Sequence, residues 1–108
     1  PPRSTLFPYT TLFRSGVDCA KVRQALAGGS AASRVLDVMG ERMVRREFAA
    51  GIEARLHHKD FGLVLEAARK SGVPVPLTAA VAQQLNALMA RGWGRDDTAS
   101  LLRVLELA

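Results

Sequence analysis

From residue 16 onward, apolar residues recur every three or four positions, and the runs are separated by glycines, serines and prolines that punctuate a chain of helices. Val22, Ala25 and Leu26 define a first helix. Asp18 stands ahead of them as an N-cap, Val17 and Val22 are spaced as a hydrophobic staple, and Gly28 and Gly29 stop the helix. A second helix begins near Ser30 or Ser33 and carries Val35, Leu36, Met39 and Met43 as its apolar stripe. The third, from about Arg55 to Ser71, has Leu56, Leu63, Val64 and Ala67 on one face, widened by Phe61, Leu65 and Ala68. So broad an apolar surface is expected to be buried on more than one side. Gly72 is placed as its C-cap, and the Val-Pro-Val-Pro that follows forces an extended connection. A fourth helix from Thr78 to Arg91 turns Val81, Leu85, Leu88 and Met89 inward, and a fifth starts at Asp96 or Asp97 and buries Leu101, Leu102 and Leu105. No stretch alternates long enough to make a strand, and nothing repeats at a fixed period. Five helices on short loops predict an all-α bundle.

The first fifteen residues, PPRSTLFPYTTLFRS, break this pattern. They hold three of the six aromatic residues and three of the five prolines, and Leu6, Phe7, Leu12 and Phe13 fit neither a helical nor an alternating template. A basic start, an unbroken apolar stretch and a small-residue cleavage site, the marks of a signal peptide, are missing. Translated in frame, a common short-read sequencing adapter matches every residue from Pro1 to Ser15. Residues 1–15 are therefore read as an adapter-derived artefact and residues 16–108 as the native part. Because no Met precedes Gly16, natural N-terminal sequence is expected to be missing.

Setting Arg3 and Arg14 aside lowers the formal net charge from +5 to +3, a balance too small to mark a nucleic-acid binder. A length near 90 residues gives one domain with a modest core. The single cysteine, Cys19, excludes an internal disulfide and suits a reducing cytosol. No apolar run approaches the ~20 residues of a membrane helix. A soluble, cytoplasmic protein with neither a membrane nor a nucleic-acid partner is expected.

Few residues suggest chemistry. The run Gly-Gly-Ser-Ala-Ala-Ser at 28–33 follows a helix instead of a strand, so it reads as a C-cap followed by an N-cap and not as a phosphate loop. His57 and His58 are neighbours on a helix and point about 100° apart, so they cannot close on one metal ion, and Cys19 lies on another helix without partner spacing. Arg42, Arg45 and Arg46 stand near a helix end, where cations complement the dipole. Trp93, between Gly92 and Gly94, is either a packed lid or an exposed contact. Lys59 and Asp60 are harder to dismiss. They interrupt an apolar helix, and as adjacent residues they are expected to seek separate partners across an interface. A lysine at the rim of such a helix suits an anionic ligand.

The stretches GVDCAKVRQALAGGSAASRVLDVMGERM, F-x-x-G-I-x-x-x-L-H-x-K-D-F-x-L-x-L, VPVPLTAAV and GWGRDDTASLLRVLE, in that order and spacing, resemble the C-terminal helical domain of the β-hydroxyacid dehydrogenases. The likeness covers essentially all of residues 16–108 and is strongest to members of the 2-hydroxy-3-oxopropionate reductase and 3-hydroxyisobutyrate dehydrogenase type. It implies the fold of the 6-phosphogluconate dehydrogenase C-terminal-like domain. It also implies an NAD- or NADP-dependent oxidoreductase of a small hydroxyacid or semialdehyde, built with an N-terminal Rossmann domain and pairing its subunits through the helical domain. By the same resemblance Lys59 contacts the cofactor, while Asp60 and Ile52 stand on the cleft or substrate side. The catalytic lysine belongs to the part expected to be missing, so no catalytic residue is assigned here. One departure bears on the substrate: the family commonly has Pro-Gly-Phe where this chain has Ala50, Gly51 and Ile52. Two other classes stay open, a free-standing helical interaction module and a small nucleic-acid binder whose affinity would fall steeply with salt.

Overall fold

Helix α1, Cys19–Ala27, starts where Asp18 Oδ1 accepts from the backbone N–H groups of Ala20 at 2.9 Å and Lys21 at 3.3 Å, and it closes on Gly28. The computed structural model describes residues 16–49 and 51–107. The adapter reading of residues 1–15 lies outside the described residues, as does Ala50. The helices predicted by spacing all form, and no strand occurs among the described residues. They pack as two units, one running to residue 48 and resuming at 102, the other comprising residues 49–101.

In the first unit, α1 packs on α2, Arg34–Arg45, whose N-cap is Ser33: its Oγ accepts from Leu36 N–H at 2.9 Å. Arg23 ties the pair together, donating from Nη2 to the Asp37 carbonyl at 2.9 Å and lying 3.5 Å from Glu41. Its stem runs over Gly40, where an added Cβ would stand 3.2 Å from Arg23 Cδ. A helix-interior glycine lowers stability by about 0.5–1 kcal/mol relative to alanine, and here it makes room for that stem. The predicted stripe on α2 is narrower than expected, since Val35 is exposed while Leu36, Met39 and Met43 are half-buried.

The arginine run at the end of α2 divides its work. Arg45 pairs with Glu41 one turn back at 2.7 Å. Arg46 takes a left-handed conformation, φ 55°, as the C-cap, and its guanidinium grips Glu106 through two bonds of 2.7 and 3.0 Å. Holding a non-glycine residue there costs about 1–2 kcal/mol, and a bidentate bond to the buried Glu106 offsets it. Arg46 and Arg103 also stand over the Phe48 ring, 5.3 and 4.7 Å from its centre. Both side chains keep solvent contact, but Arg46 is in addition held by a buried carboxylate that its place at the helix end did not announce. Glu106 lies at the end of α5, Leu101–Glu106, a helix too short to bury Leu105, which is exposed against expectation.

The second unit is built on α3, Ala54–Ser71, packed along α4, Pro76–Ala90. Gly72, at φ 72°, caps α3. The extended connection is shorter than predicted, because Pro76 occupies the first helical position, where its fixed φ and missing N–H suit a helix start. Leu85 and Leu88 of α4 are fully buried with Ala54, Ala82 and Ala99, and Phe61, Leu65 and Ala68 of α3 are half-buried. The other face of α3 corrects the sequence reading: Leu56, Leu63, Val64 and Ala67 are exposed, so within the described chain the helix is covered on one side only.

Gly62 sits inside α3 with nothing within 4 Å of where a Cβ would be. Helix propensity alone then governs substitution. Gly62→Ala is expected to raise the stability of the chain by about 0.5–1 kcal/mol, read as an upward shift of the thermal midpoint. A drop would show that the position is crowded.

Candidate functional site

After α4 the chain turns at Gly92, φ 81°, and residues 94–98 run back along residues 52–55. An added Cβ at Gly94 would stand 2.8 Å from Met89 Sδ, so the flexible end of Met89 would have to shift, and 3.5 Å from Arg55 Cβ, an ordinary contact. Three backbone hydrogen bonds join the two segments: Ala54 N–H to the Asp96 carbonyl and Arg55 N–H to the Gly94 carbonyl at 2.8 Å each, and Thr98 N–H to the Ile52 carbonyl at 3.2 Å; the first and last of them pair Glu53 with Asp97 as an antiparallel bridge. The first residues of α3 are thereby held by a neighbouring loop, which compensates for Glu53, an N-cap without a side-chain capping bond.

Ile52, the residue placed on the substrate side by resemblance, stands on this clamped segment with 47% of its surface exposed. Lys59 and Asp60 follow one to two turns into α3, both exposed, with Lys59 Nζ 3.8 Å from Asp60 Oδ1. This corrects the expectation that adjacent residues would find separate partners: the long lysine stem swings round to its neighbour. At 66% exposure such a pair is weak and screened, so the ammonium remains accessible to an incoming anion.

Each histidine of the pair has its own hydrogen-bond partner. His57 Nδ1 lies 2.6 Å from Thr98 Oγ1, and His58 Nε2 lies 2.7 Å from Asn86 Oδ1, which can only accept, so that nitrogen carries the proton. Glu53 and Arg55 form an exposed pair at 2.6 Å. The hydrogen bond from Arg55 is the main cause that holds the Glu53 carboxyl below its ordinary value. The pairing is therefore present above the usual carboxylate range and lost as pH falls through the lowered value. Burial, reinforced by the charges of Asp18 and Glu106, pushes the Cys19 thiol up, away from the thiolate that a nucleophile or metal ligand needs. Among the described residues no cluster of three His, Cys, Asp or Glu side chains is placed to hold a metal. Trp93 is half-buried, between its two predicted alternatives.

Sequence reasoning overlooked the most deeply buried acid of this unit. Asp97 was legible only as a helix cap. Its Oδ1 does accept from Ala99 N–H at 2.9 Å, but Oδ2 accepts from Gly51 N–H at 2.9 Å and Ile52 N–H at 3.2 Å as well. No local signal announces bonds to residues 45 positions away.

Comparison with known proteins identifies the class. The family description "NAD-binding of NADP-dependent 3-hydroxyisobutyrate dehydrogenase" matches residues 9–105. The chain belongs to this family of NAD(P)-binding hydroxyacid dehydrogenase domains. It is 42% identical over 94 residues to 2-hydroxy-3-oxopropionate reductase of Escherichia coli K12, covering 87% of this chain and 32% of that protein. It is 32% identical over 96 residues to 2-(hydroxymethyl)glutarate dehydrogenase of Eubacterium barkeri, covering 84% of this chain and 32% of that one. The crystal structure of 3-hydroxyisobutyrate dehydrogenase from Salmonella typhimurium superposes with a TM-score of 0.82 at 17% identity, over 86% of this chain and 33% of that one, and establishes the shared helical fold. The chain spans about one third of the length of these relatives. No helix among the described residues is long and apolar enough to cross a membrane.

Proposed function

We propose that this chain is the helical portion of an NAD(P)-dependent reductase of small β-hydroxyacids, of the 2-hydroxy-3-oxopropionate reductase or 3-hydroxyisobutyrate dehydrogenase type. In this reading it contributes cofactor contact, closure of the substrate cleft and subunit pairing. The observation that carries the reading is the 42% identity to the E. coli reductase across 87% of the chain. Lys59 supports it chemically. An accessible ammonium with three donors, beside a carboxylate at 3.8 Å, fits the anionic surface of a dinucleotide. When bound, the nicotinamide supplies or accepts the hydride. The residues of this chain bind and orient: Lys59 holds the cofactor from the helical side, and Asp60 and Ile52 border the substrate. No residue of the described chain is assigned as the acid or base of the step. The exposed stripe of Leu56, Leu63 and Val64 supports pairing with a second copy, which would take those side chains out of water.

Two measurements test the reading together. The coding sequence upstream of Gly16 is expected to specify a strand-turn-helix unit with a G-x-G-x-x-G phosphate-binding turn, and the protein it encodes is expected to oxidise NADH or NADPH in the presence of tartronate semialdehyde. Residues 16–108 alone are expected to give no turnover in the same assay. Turnover by the isolated chain would show that the active site has been misplaced.

A further inference from the structure

We propose that Asp97 is a positioning residue of the cleft: its buried carboxylate fixes the backbone of Gly51 and Ile52 and thereby where the Ile52 side chain meets the substrate. This inference rests on the placement of Ile52 at the cleft given above.

Neither residue of that turn anchors itself. Gly51 has no side chain, and Ile52 is about half exposed, so burial does not fix its position. The anchor comes from the other segment. Asp97 is 0% exposed, and its two oxygens collect three backbone N–H groups, Gly51 and Ile52 on Oδ2 and Ala99 on Oδ1. One carboxylate thus joins the turn before α3 to the start of the short 3-10 turn Thr98–Ser100. The Thr98 backbone N–H adds a bond to the Ile52 carbonyl from the same side, so Ile52 is held at both its N–H and its C=O. A side chain standing on a loop is placed as accurately as the bonds that hold that loop.

An ionised carboxylate is suited to this task because both of its oxygens only accept. An Asn at position 97 would keep one acceptor and turn an NH2 group toward either Ala99 N–H or the Gly51 and Ile52 pair, setting donor against donor in a buried place. A Ser at position 97 would preserve the cap of the 3-10 turn, since serine is among the best capping residues, but its hydroxyl is one carbon shorter and would lose the reach to residues 51 and 52. The two variants therefore separate capping from positioning.

Amide hydrogen exchange of the 108-residue chain, followed by NMR, reads the anchor directly. In wild type the Gly51 and Ile52 amides are expected to be protected. In Asp97→Asn and Asp97→Ser their exchange is expected to rise at least tenfold, while the amides of Leu85 and Leu88 change less than threefold. In the longer enzyme carrying the upstream domain, both variants are expected to raise the KM for the hydroxyacid or semialdehyde about tenfold, leaving the cofactor KM and kcat within about threefold. Ile52→Ala is expected to reproduce that split. Unchanged exchange at Gly51 and Ile52 overturns the anchor. Loosened exchange with an unchanged substrate KM, while Ile52→Ala raises it, overturns the positioning role and leaves the cleft reading standing. An Ile52→Ala variant with unchanged substrate KM brings down the cleft reading, and the positioning role with it. If Asp97→Asn does not fold, Asp97→Ser carries both measurements.

Discussion

Leu88→Ala is expected to destabilise the chain by about 3 kcal/mol, within the range of roughly 2–5 kcal/mol for truncating a buried leucine. Leu88 is fully buried on α4, which packs along α3, and the other buried apolar residues of the described chain are Leu85 and three alanines. Alanines have little side chain with which to collapse into the space left behind, so both the transfer and the cavity contributions should be felt. In a chain of this size, where total stability is commonly about 5–10 kcal/mol, that loss takes about 30–60% of the whole. The thermal midpoint should fall by about 12–24 °C at roughly 4–8 °C per kcal/mol. Leu77→Ala on the same helix is the control: Leu77 is 82% exposed, and its truncation should shift stability by no more than about 0.5 kcal/mol. Equal losses at the two positions would place the core elsewhere.

The helices were legible in the sequence because their signals are local. Asp18, Ser33 and Gly72 cap the helices that their spacing predicts, and Leu85 and Leu88 are buried as their period requires. What could not be read depends on residues distant in the chain. The period of α3 identified one broad apolar surface, expected to be buried on more than one side, but not which part of it the chain itself would cover. The structure half-buries Phe61, Leu65 and Ala68 and leaves Leu56, Leu63 and Val64 exposed. Arg46 looked like a solvated cation because Glu106, its partner at 2.7 Å, is sixty residues away. Asp97 looked like an ordinary cap for the same reason. The candidate site divides along the same line. Lys59, Asp60 and Ile52 were picked out by resemblance to a family pattern, whereas the bonds that hold their surroundings in place emerged only from the fold.

In a full-length reductase of the proposed type, Lys59→Ala is expected to raise the KM for NAD(P)H at least tenfold while changing kcat by less than about threefold. A hydrogen bond between a charged side chain and an anionic ligand contributes about 1.5–3 kcal/mol, and about 1.4 kcal/mol corresponds to a factor of ten in affinity. On the proposed reading, in which Lys59 contacts the cofactor alike in ground and transition state and takes no part in proton transfer, the loss should appear in cofactor binding and not in turnover. Exposure of the lysine gives the prediction a second arm. An attraction between solvent-exposed charges weakens as salt shortens the screening length from about 10 Å at 0.1 M to about 3 Å at 1 M, so the gap between wild type and variant should narrow in high salt. Asp60→Asn provides the opposing case. It removes the carboxylate 3.8 Å from the ammonium and should leave the cofactor KM unchanged or lower it, whereas any contribution of Asp60 to the substrate side would appear in the substrate KM. A Lys59→Ala enzyme with the wild-type cofactor KM at low salt would return Lys59 to the role of a solvated charge on an exposed helix face.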